Sequence, residues 1–359
     1  DVADFDVEDV CGTIQRVLLP DDVDINDAVD QLKGQDITAS ANTAAMMGGT
    51  AKGGATPKST TDGVDAQVKA PEHQGTGPLV IVIDSGIDDA AKTRGDGWVT
   101  FVAPHRGVQD VDPLDVLDRR GRVRADGRLD LAAGHGTFVA GLISQIEPDA
   151  EIVMIRAIAT DGVCTEDQVA EALCRAAAEF DIRQLDRGVV NLSLGLQSVD
   201  DEEPPILRAA LDLLPDNVIV VAAAGNERTG VELWPAASER VCGVASLTDQ
   251  GTASEWSNRG PWVNFSARGE GIISTFIEGR ETAALENDPG SPFDKRPDTY
   301  GAPDPLAIWS GTSFATPQVS AQLATILRNN PGFTRADAIQ HLHQKGTPLQ
   351  NFGTRVPVF

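Results

Sequence analysis

Apolar runs of five to seven residues recur along this chain, and their spacing restricts its folds more than any other feature. Leu79–Ile83, Ile152–Ile158, Val189–Leu194, Val218–Ala224 and Val241–Leu247 carry little polar alternation. Such runs mark strands buried on both faces. Helical patterns lie between them: one from His135 to about Ile146, one from Glu166 to Phe180, and one from Pro205 to Leu214. Thr165 and Gln168 form a capping box ahead of the second. Trp262–Ala267 and Ile272–Phe276 add strands. Helices are expected from Ser313 to about Arg328 and from about Thr334 to Gln344. Strands alternating with helices predict an α/β fold, a mainly parallel sheet with helices on both faces.

Residues 77–347 hold this pattern and read as one domain. Residues 1–37 form a small unit, with a strand over Gly12–Leu19 and a short helix from Ile25 to about Lys33 capped by Asp24. Residues 38–76 lose periodicity and are rich in Ala, Thr, Gly, Ser and Lys, as at Met46-Met47-Gly48-Gly49-Thr50. They read as a flexible linker or a surface arm. Residues 278–308 are a Pro-, Gly- and Asp-rich interruption placed at the rim of the site that follows it. Residues 348–359 read as a C-terminal tail.

Charge narrows the partners. The chain has 54 acidic and 29 basic residues, a formal net charge of −25. That argues against nucleic acid or an anionic membrane surface. No apolar run reaches bilayer length, so no transmembrane segment is expected. Cys11, Cys164, Cys174 and Cys242 include no Cys-x-x-Cys pair, which argues against a zinc site. Cys164 and Cys174 flank a helix start and can be bridged only if geometry allows. Cys242 reads as a small buried residue. Asp126–Asp130 lacks calcium-ligand spacing and reads as a turn. No metal ligands and no cofactor are therefore assigned. No secretory signal opens at Asp1, although the chain also begins without Met, so a removed leader stays open. The reading favours a cytoplasmic over a secreted protein, and a monomer.

The chemistry concentrates in three stretches. Gly311-Thr312-Ser313-Phe314-Ala315-Thr316-Pro317 runs into a helix and puts Ser313 at its N-terminal end, where developing negative charge is favoured. A serine hydroxyl needs a base, and histidine has the suitable pKa. Of His73, His105, His135, His341 and His343, only His135 is flanked by glycines at a helix start, in Gly134-His135-Gly136-Thr137. Asp84 closes the Leu79–Ile83 strand in Asp84-Ser85-Gly86, at the edge where open α/β sheets place their sites. An aspartate there can orient a histidine and stabilise its imidazolium.

With Asp84, His135 and Ser313 in that order, the chain resembles the subtilisin-like serine peptidases, over roughly residues 75–345. The resemblance implies a subtilisin-like fold and a serine endopeptidase acting on a protein or peptide substrate. It makes Asn226, in Ala223-Ala224-Gly225-Asn226, the oxyanion donor. Ser193, Leu194 and Gly195 become a substrate-pairing segment, and Ala223, Ala224 and Gly225 one wall of the pocket for the residue before the cut. Leu233 falls near the floor of that pocket and implies a small or medium apolar residue there. Structural calcium is common in the family, yet no ligand cluster here is convincing. Gly260-Pro261-Trp262-Val263 and Trp309–Ser313 are similar to mycosin-like actinobacterial members, which implies one or a few partner proteins as substrates. In that branch the N-terminal segment is a stabilising arm, the reading preferred over a reduced propeptide. The alternative is a latent or inactive scaffold or docking module regulated by that segment.

Overall fold

The computed structural model describes residues 6–12, 14–20, 23–46, 57–59, 72, 76–94, 97–114, 128–198, 201–280, 298–301 and 305–357. Residues 47–56 of the arm, residues 126–127 of the turn and most of the 278–308 interruption lie outside them.

The N-terminal unit contains strands β1 (Asp6–Cys11) and β2 (Ile14–Leu18) and helix α1 (Ile25–Lys33), and the arm after it contributes short strands β3 (Ala44–Met46) and β4 (Lys58–Ser59). The single strand expected over Gly12–Leu19 is instead an antiparallel hairpin turning at Gly12, whose φ is 61°. Its first strand, Asp-Val-Glu-Asp-Val-Cys, is too acidic to read as a strand. Its charges are answered across the hairpin and beyond it, where Arg16 pairs with Glu8 at 2.9 Å and also with Asp167.

The main domain follows as β5 (Leu79–Asp84), α2 (Asp89–Thr93), β6 (Ala103–Pro104), α3 (His135–Ile146), β7 (Glu151–Arg156), β8 (Val163–Thr165), α4 (Glu166–Ile182), β9 (Arg187–Leu192), α5 (Pro205–Asp212), β10 (Asn217–Ala223), β11 (Val241–Leu247) and β12 (Val263–Arg268). Next come β13 (Ile272–Thr275), β14 (Gly279–Arg280), β15 (Thr299–Tyr300), β16 (Leu306–Trp309), α6 (Thr312–Asn329), α7 (Arg335–Lys345), β17 (Thr347–Pro348) and β18 (Thr354–Arg355).

One nine-stranded sheet carries the domain, in the order β17-β18-β12-β11-β10-β9-β5-β7-β6. All its pairings are parallel except β17 with β18. This is the α/β architecture expected. The boundary expected at 347/348 falls inside β17, and Thr354 pairs with Phe265 of β12. The supposed tail therefore extends the main sheet.

Strand alternation divides the core. Val80 and Val82 of β5 face a cluster containing Phe138, Ile143, Phe314 and Leu323 from α3 and α6. Leu79, Ile81 and Ile83 face a second cluster with Val169, Leu173, Phe180, Leu207 and Leu211 from α4 and α5. A strand with neither face wet cannot show polar alternation, which is why β5 reads as an unbroken apolar run.

Cys242 is free and buried, as its apolar run implies, while the conditional Cys164–Cys174 bridge is not formed. Cys174 of α4 is bridged to Cys11 at the end of β1, not to Cys164. Cys164 lies in β8, which pairs with β3, and its thiol is buried in the core. Burial, followed by the nearby Asp84, Asp167 and Asp161 charges, pushes that thiol up to about 12. The N-terminal segment thus meets the domain through the disulfide, through β3 on β8 and β4 on β16, and through polar contacts such as Arg16 and Asn42 with Asp167.

Candidate active site

Parallel strands of one sheet end on one edge, and β5, β9 and β10 deliver Asp84, Ser193 and Ala224–Asn226 there. Asp84 is wholly buried and His135 is 1% exposed. His135 Nδ1 donates to Asp84 Oδ1 at 2.7 Å. The same oxygen accepts the Ser85 backbone N–H at 2.7 Å. A proton on Nδ1 leaves the Nε2 lone pair of the neutral ring available as a base.

Small residues make this approach feasible. Gly136 packs directly on the Gly86 carbonyl, and a Cβ there would collide with it. A second set of bonds fixes the same geometry. Ser85 Oγ accepts the Gly136 N–H at 3.0 Å and donates to Asp112 Oδ2 at 3.2 Å. Asp112 Oδ2 also accepts the Gly134 N–H at 2.8 Å, and its Oδ1 accepts the Leu114 N–H at 3.0 Å. Asp112 and Ser85 therefore hold both neighbours of His135 and one neighbour of Asp84. Burial pushes the Asp112 carboxyl up to about 7, against these three hydrogen bonds and with the Asp88 charge adding to the rise.

Ser313 is the second residue of α6 and is 5% exposed. Its hydroxyl donates to the Ser193 carbonyl at 3.1 Å, and Ser193 Oγ donates to the Ser313 carbonyl at 2.8 Å. Asn191 Nδ2 bonds Ser193 Oγ at 3.1 Å, and Ser320 Oγ bonds Asn191 Oδ1 at 2.8 Å. This ring ties α6 to the end of β9. No hydrogen bond joins Ser313 to His135 in this conformation. The two are neighbours through aromatic packing: the His135 ring lies 5.2 Å from Phe314 and 5.2 Å from Trp309.

Asn226 is oriented by Thr312. Its Oδ1 accepts the Thr312 N–H at 2.9 Å and the Thr312 hydroxyl at 3.0 Å, while that hydroxyl accepts the Gly225 N–H at 3.1 Å. A backbone N–H is always a donor, so the carbonyl end of the amide is fixed and Nδ2 is left to donate elsewhere.

Ala223, Ala224 and Gly225 continue from β10, and Leu194 is buried beside Ser193. Leu233 packs against both Gly195 and Gly225, where Cβ atoms would collide with its side chain. Leu233 thus lies between Gly195 of the expected substrate-pairing segment and Gly225 of the expected pocket wall. Glu227 lies beside the same glycine, and Asn258 anchors it. Asn258 Nδ2 donates to Glu227 Oε2 at 2.7 Å and to the Ala224 carbonyl at 2.9 Å. Among the described residues, no three His, Cys, Asp or Glu side chains group to hold a metal ion.

A family model described as the subtilase family matches residues 75–354. The chain belongs to the subtilase family. It is 27% identical over 297 residues to the thermophilic serine proteinase of Bacillus sp. (strain AK1), covering 78% of this chain and 59% of that protein. It is 26% identical over 286 residues to the M-protease of Shouchella clausii (strain KSM-K16), covering 77% and 61% respectively. The chain therefore spans about three fifths of the length of these two relatives. A crystal structure of a cold-adapted subtilisin-like serine proteinase superposes with a TM-score of 0.54 at 23% identity, covering 82% of this chain and 92% of that one. The fold is subtilisin-like.

Within this subtilase, sequence reasoning missed Asp112, Thr312, Asn191 and Asn258. Thr312 sits inside the Gly311-Thr312-Ser313 motif, where nothing local marks its role toward Asn226. Asn191 carried a signal, a buried amide in the otherwise apolar Val189-Val190-Asn191-Leu192. Asp112 and Asn258 sit in polar loops that offer none.

Proposed function

We propose that the chain is a serine endopeptidase in which Ser313 is the nucleophile, His135 the general base and acid, and Asp84 the group that orients His135. The buried Asp84–His135 hydrogen bond of 2.7 Å, set beside the N-terminus of the helix bearing Ser313, carries this reading. Rotation of the Ser313 hydroxyl from the Ser193 carbonyl to His135 Nε2 starts the reaction. Oγ bonds to the substrate carbonyl carbon while its proton passes to Nε2. The oxyanion takes hydrogen bonds from Asn226 Nδ2 and the Ser313 N–H. Collapse breaks the C–N bond, and the amine leaves with the proton from His135. Water then repeats the sequence on the acyl-enzyme, releasing the acid and free Ser313.

The substrate is a protein or peptide chain, paired along Ser193–Gly195 as an added strand. Leu233 occupies space between Gly195 and Gly225, which favours a small or medium apolar residue before the cut. Cleavage of a peptide panel only after Arg or Lys would overturn that specificity. Selective action on one or a few partner proteins follows from the mycosin-like resemblance.

Labelling with a fluorophosphonate probe, read by mass spectrometry, tests the chemistry. Ser313 is expected to be the labelled residue, and Ser313→Ala to lose labelling and at least about 10³-fold of any peptidase activity. The pairing of β4 with β16, the strand that ends at Trp309 just before Ser313, favours a second reading, an enzyme held latent by its N-terminal segment. Labelling only after removal of that segment supports latency. No labelling in either folded form replaces the peptidase with the scaffold reading.

A further inference from the structure

A cavity of about 330 Å³ opens beyond the carboxyl ends of β11, β12 and β18. It takes no part in the chemistry above. Three cations from three separate segments line it: Arg268 ending β12, Lys345 ending α7, and Arg355 of β18. Their convergence is unexpected in a chain where acidic residues outnumber basic ones 54 to 29. None of the three forms an ion pair among the described residues. Asp249 is the one carboxylate on the lining, so the cavity keeps an excess of positive charge.

The two guanidinium groups differ in their commitments. Arg268 is held in place by Nε on the Glu270 carbonyl at 2.9 Å and Nη2 on the Gly271 carbonyl at 3.2 Å. Arg355 lies across Gly251, where a Cβ would come within 2.5 Å of Nη1. Its half-buried guanidinium donates to no acceptor among the described residues. A fixed fork with unused donors suits an oxyanion that can accept two bonds at once. Thr248, Gln250 and Thr347 add polar groups to the lining, and Pro357, with the nearly buried Leu247 and Val356, adds apolar atoms.

We propose that this cavity binds a small phosphate monoester, its phosphate facing Arg268, Lys345 and Arg355 and its organic part against Leu247, Val356 and Pro357. The volume sits at the lower end of small-molecule sites and exceeds what a bare phosphate fills. Free phosphate shares the recognising chemistry, so the test distinguishes it.

Calorimetric titration of the intact chain with AMP, inorganic phosphate and adenosine, in constant 0.15 M salt, is the experiment. AMP is expected to bind with a Kd below about 1 mM, since one charge-assisted hydrogen bond already contributes about tenfold in affinity. Adenosine is expected not to bind. Arg355→Gln and Lys345→Gln should each weaken AMP at least about tenfold while circular dichroism and thermal unfolding stay unchanged. Equal affinity for inorganic phosphate and AMP would assign the cavity to free phosphate and overturn the monoester. Binding by neither probe, or AMP affinity unchanged in both variants, would overturn the site.

Discussion

Thr312 shows how a single side chain can aim another. Its N–H and hydroxyl both end on Asn226 Oδ1, leaving Nδ2 as the free donor. If Nδ2 stabilises the oxyanion, Asn226→Ala should lower kcat by about 10²- to 10³-fold with little change in KM. Thr312→Val keeps the backbone bond and loses the hydroxyl, so a kcat loss of about tenfold is expected. A fall in KM affinity alone, in steady-state kinetics, would contradict both. Asp112 aims His135 in the same indirect way, through Gly134 and Ser85. Asp112→Asn replaces one of two acceptor oxygens by a donor facing an N–H, and should lower kcat by about tenfold. It also tests a linkage. The native carboxyl titrates near 7 and the unfolded one near 3.8, so between these values the native state binds the extra proton. The stability Asp112 lends is complete below the lower value and is lost as pH rises through the upper one. Wild-type stability relative to Asp112→Asn should therefore fall by up to about 1.4 kcal/mol per pH unit across that window, read from urea unfolding at each pH. Asp84, His135, Ser313 and Asn226 were legible as candidates because each sits in a short motif with glycine or helix-start context. Asp112 was not, because a loop aspartate acquires its role only when Ile87 and Asp112 pair across the fold.

At the level of elements, legibility followed burial. The strands β5, β7, β9, β10 and β11 announce themselves because both faces are dry. The β1–β2 hairpin does not, because its stability comes from partners far along the chain. Arg16 bonds Asp167, Asn42 Nδ2 bonds the same carboxylate at 2.9 Å, and Cys11 is bridged to Cys174 across 163 residues. No local pattern carries such pairings. Burial raises the Asp167 pKa, yet hydrogen bonds from Thr165 and Asn42 and the Arg16 charge outweigh it and leave the pKa lowered. Its contribution to stability is present above the ordinary carboxylate value and lost as pH falls through the lowered one. Protection factors in residues 6–18, the exchange rates corrected for the intrinsic slowing of amide exchange in acid, should accordingly fall at pH 3 relative to pH 6. Removing the disulfide as Cys11→Ser with Cys174→Ser should destabilise the chain by as much as about 5 kcal/mol, the chain-entropy ceiling for so long a loop. An unchanged midpoint in guanidinium unfolding would mean that the non-covalent contacts alone hold the hairpin down.

At the level of the whole molecule, the excess of 25 negative charges opposes the compact state. Some acids are answered locally, as in Arg228–Glu255 at 2.6 Å and Arg208–Glu203 at 2.6 Å. Arg228–Glu255 is exposed on both sides and Arg208 is exposed beside a nearly buried Glu203, so such pairs add little to stability and weaken in salt. Salt therefore acts in two directions, weakening pairs and screening repulsion. The numbers decide between them. Even if every one of the 29 basic residues were paired, 25 carboxylates would remain without a cation. Their repulsion is longer-ranged than the pairs and is cut off once the screening length drops to about 10 Å at 0.1 M salt. It is also stronger in the folded chain, where charges are closer together, than in the unfolded one. Raising NaCl from 0.02 to about 0.5 M should thus raise Tm by a few degrees at pH 7, measured by calorimetry. The gain should shrink toward pH 4.4, the sequence isoelectric point, where the net charge vanishes. A Tm that falls with salt at pH 7 would mean instead that local ion pairs, and not the surplus charge, govern the electrostatic part of the stability.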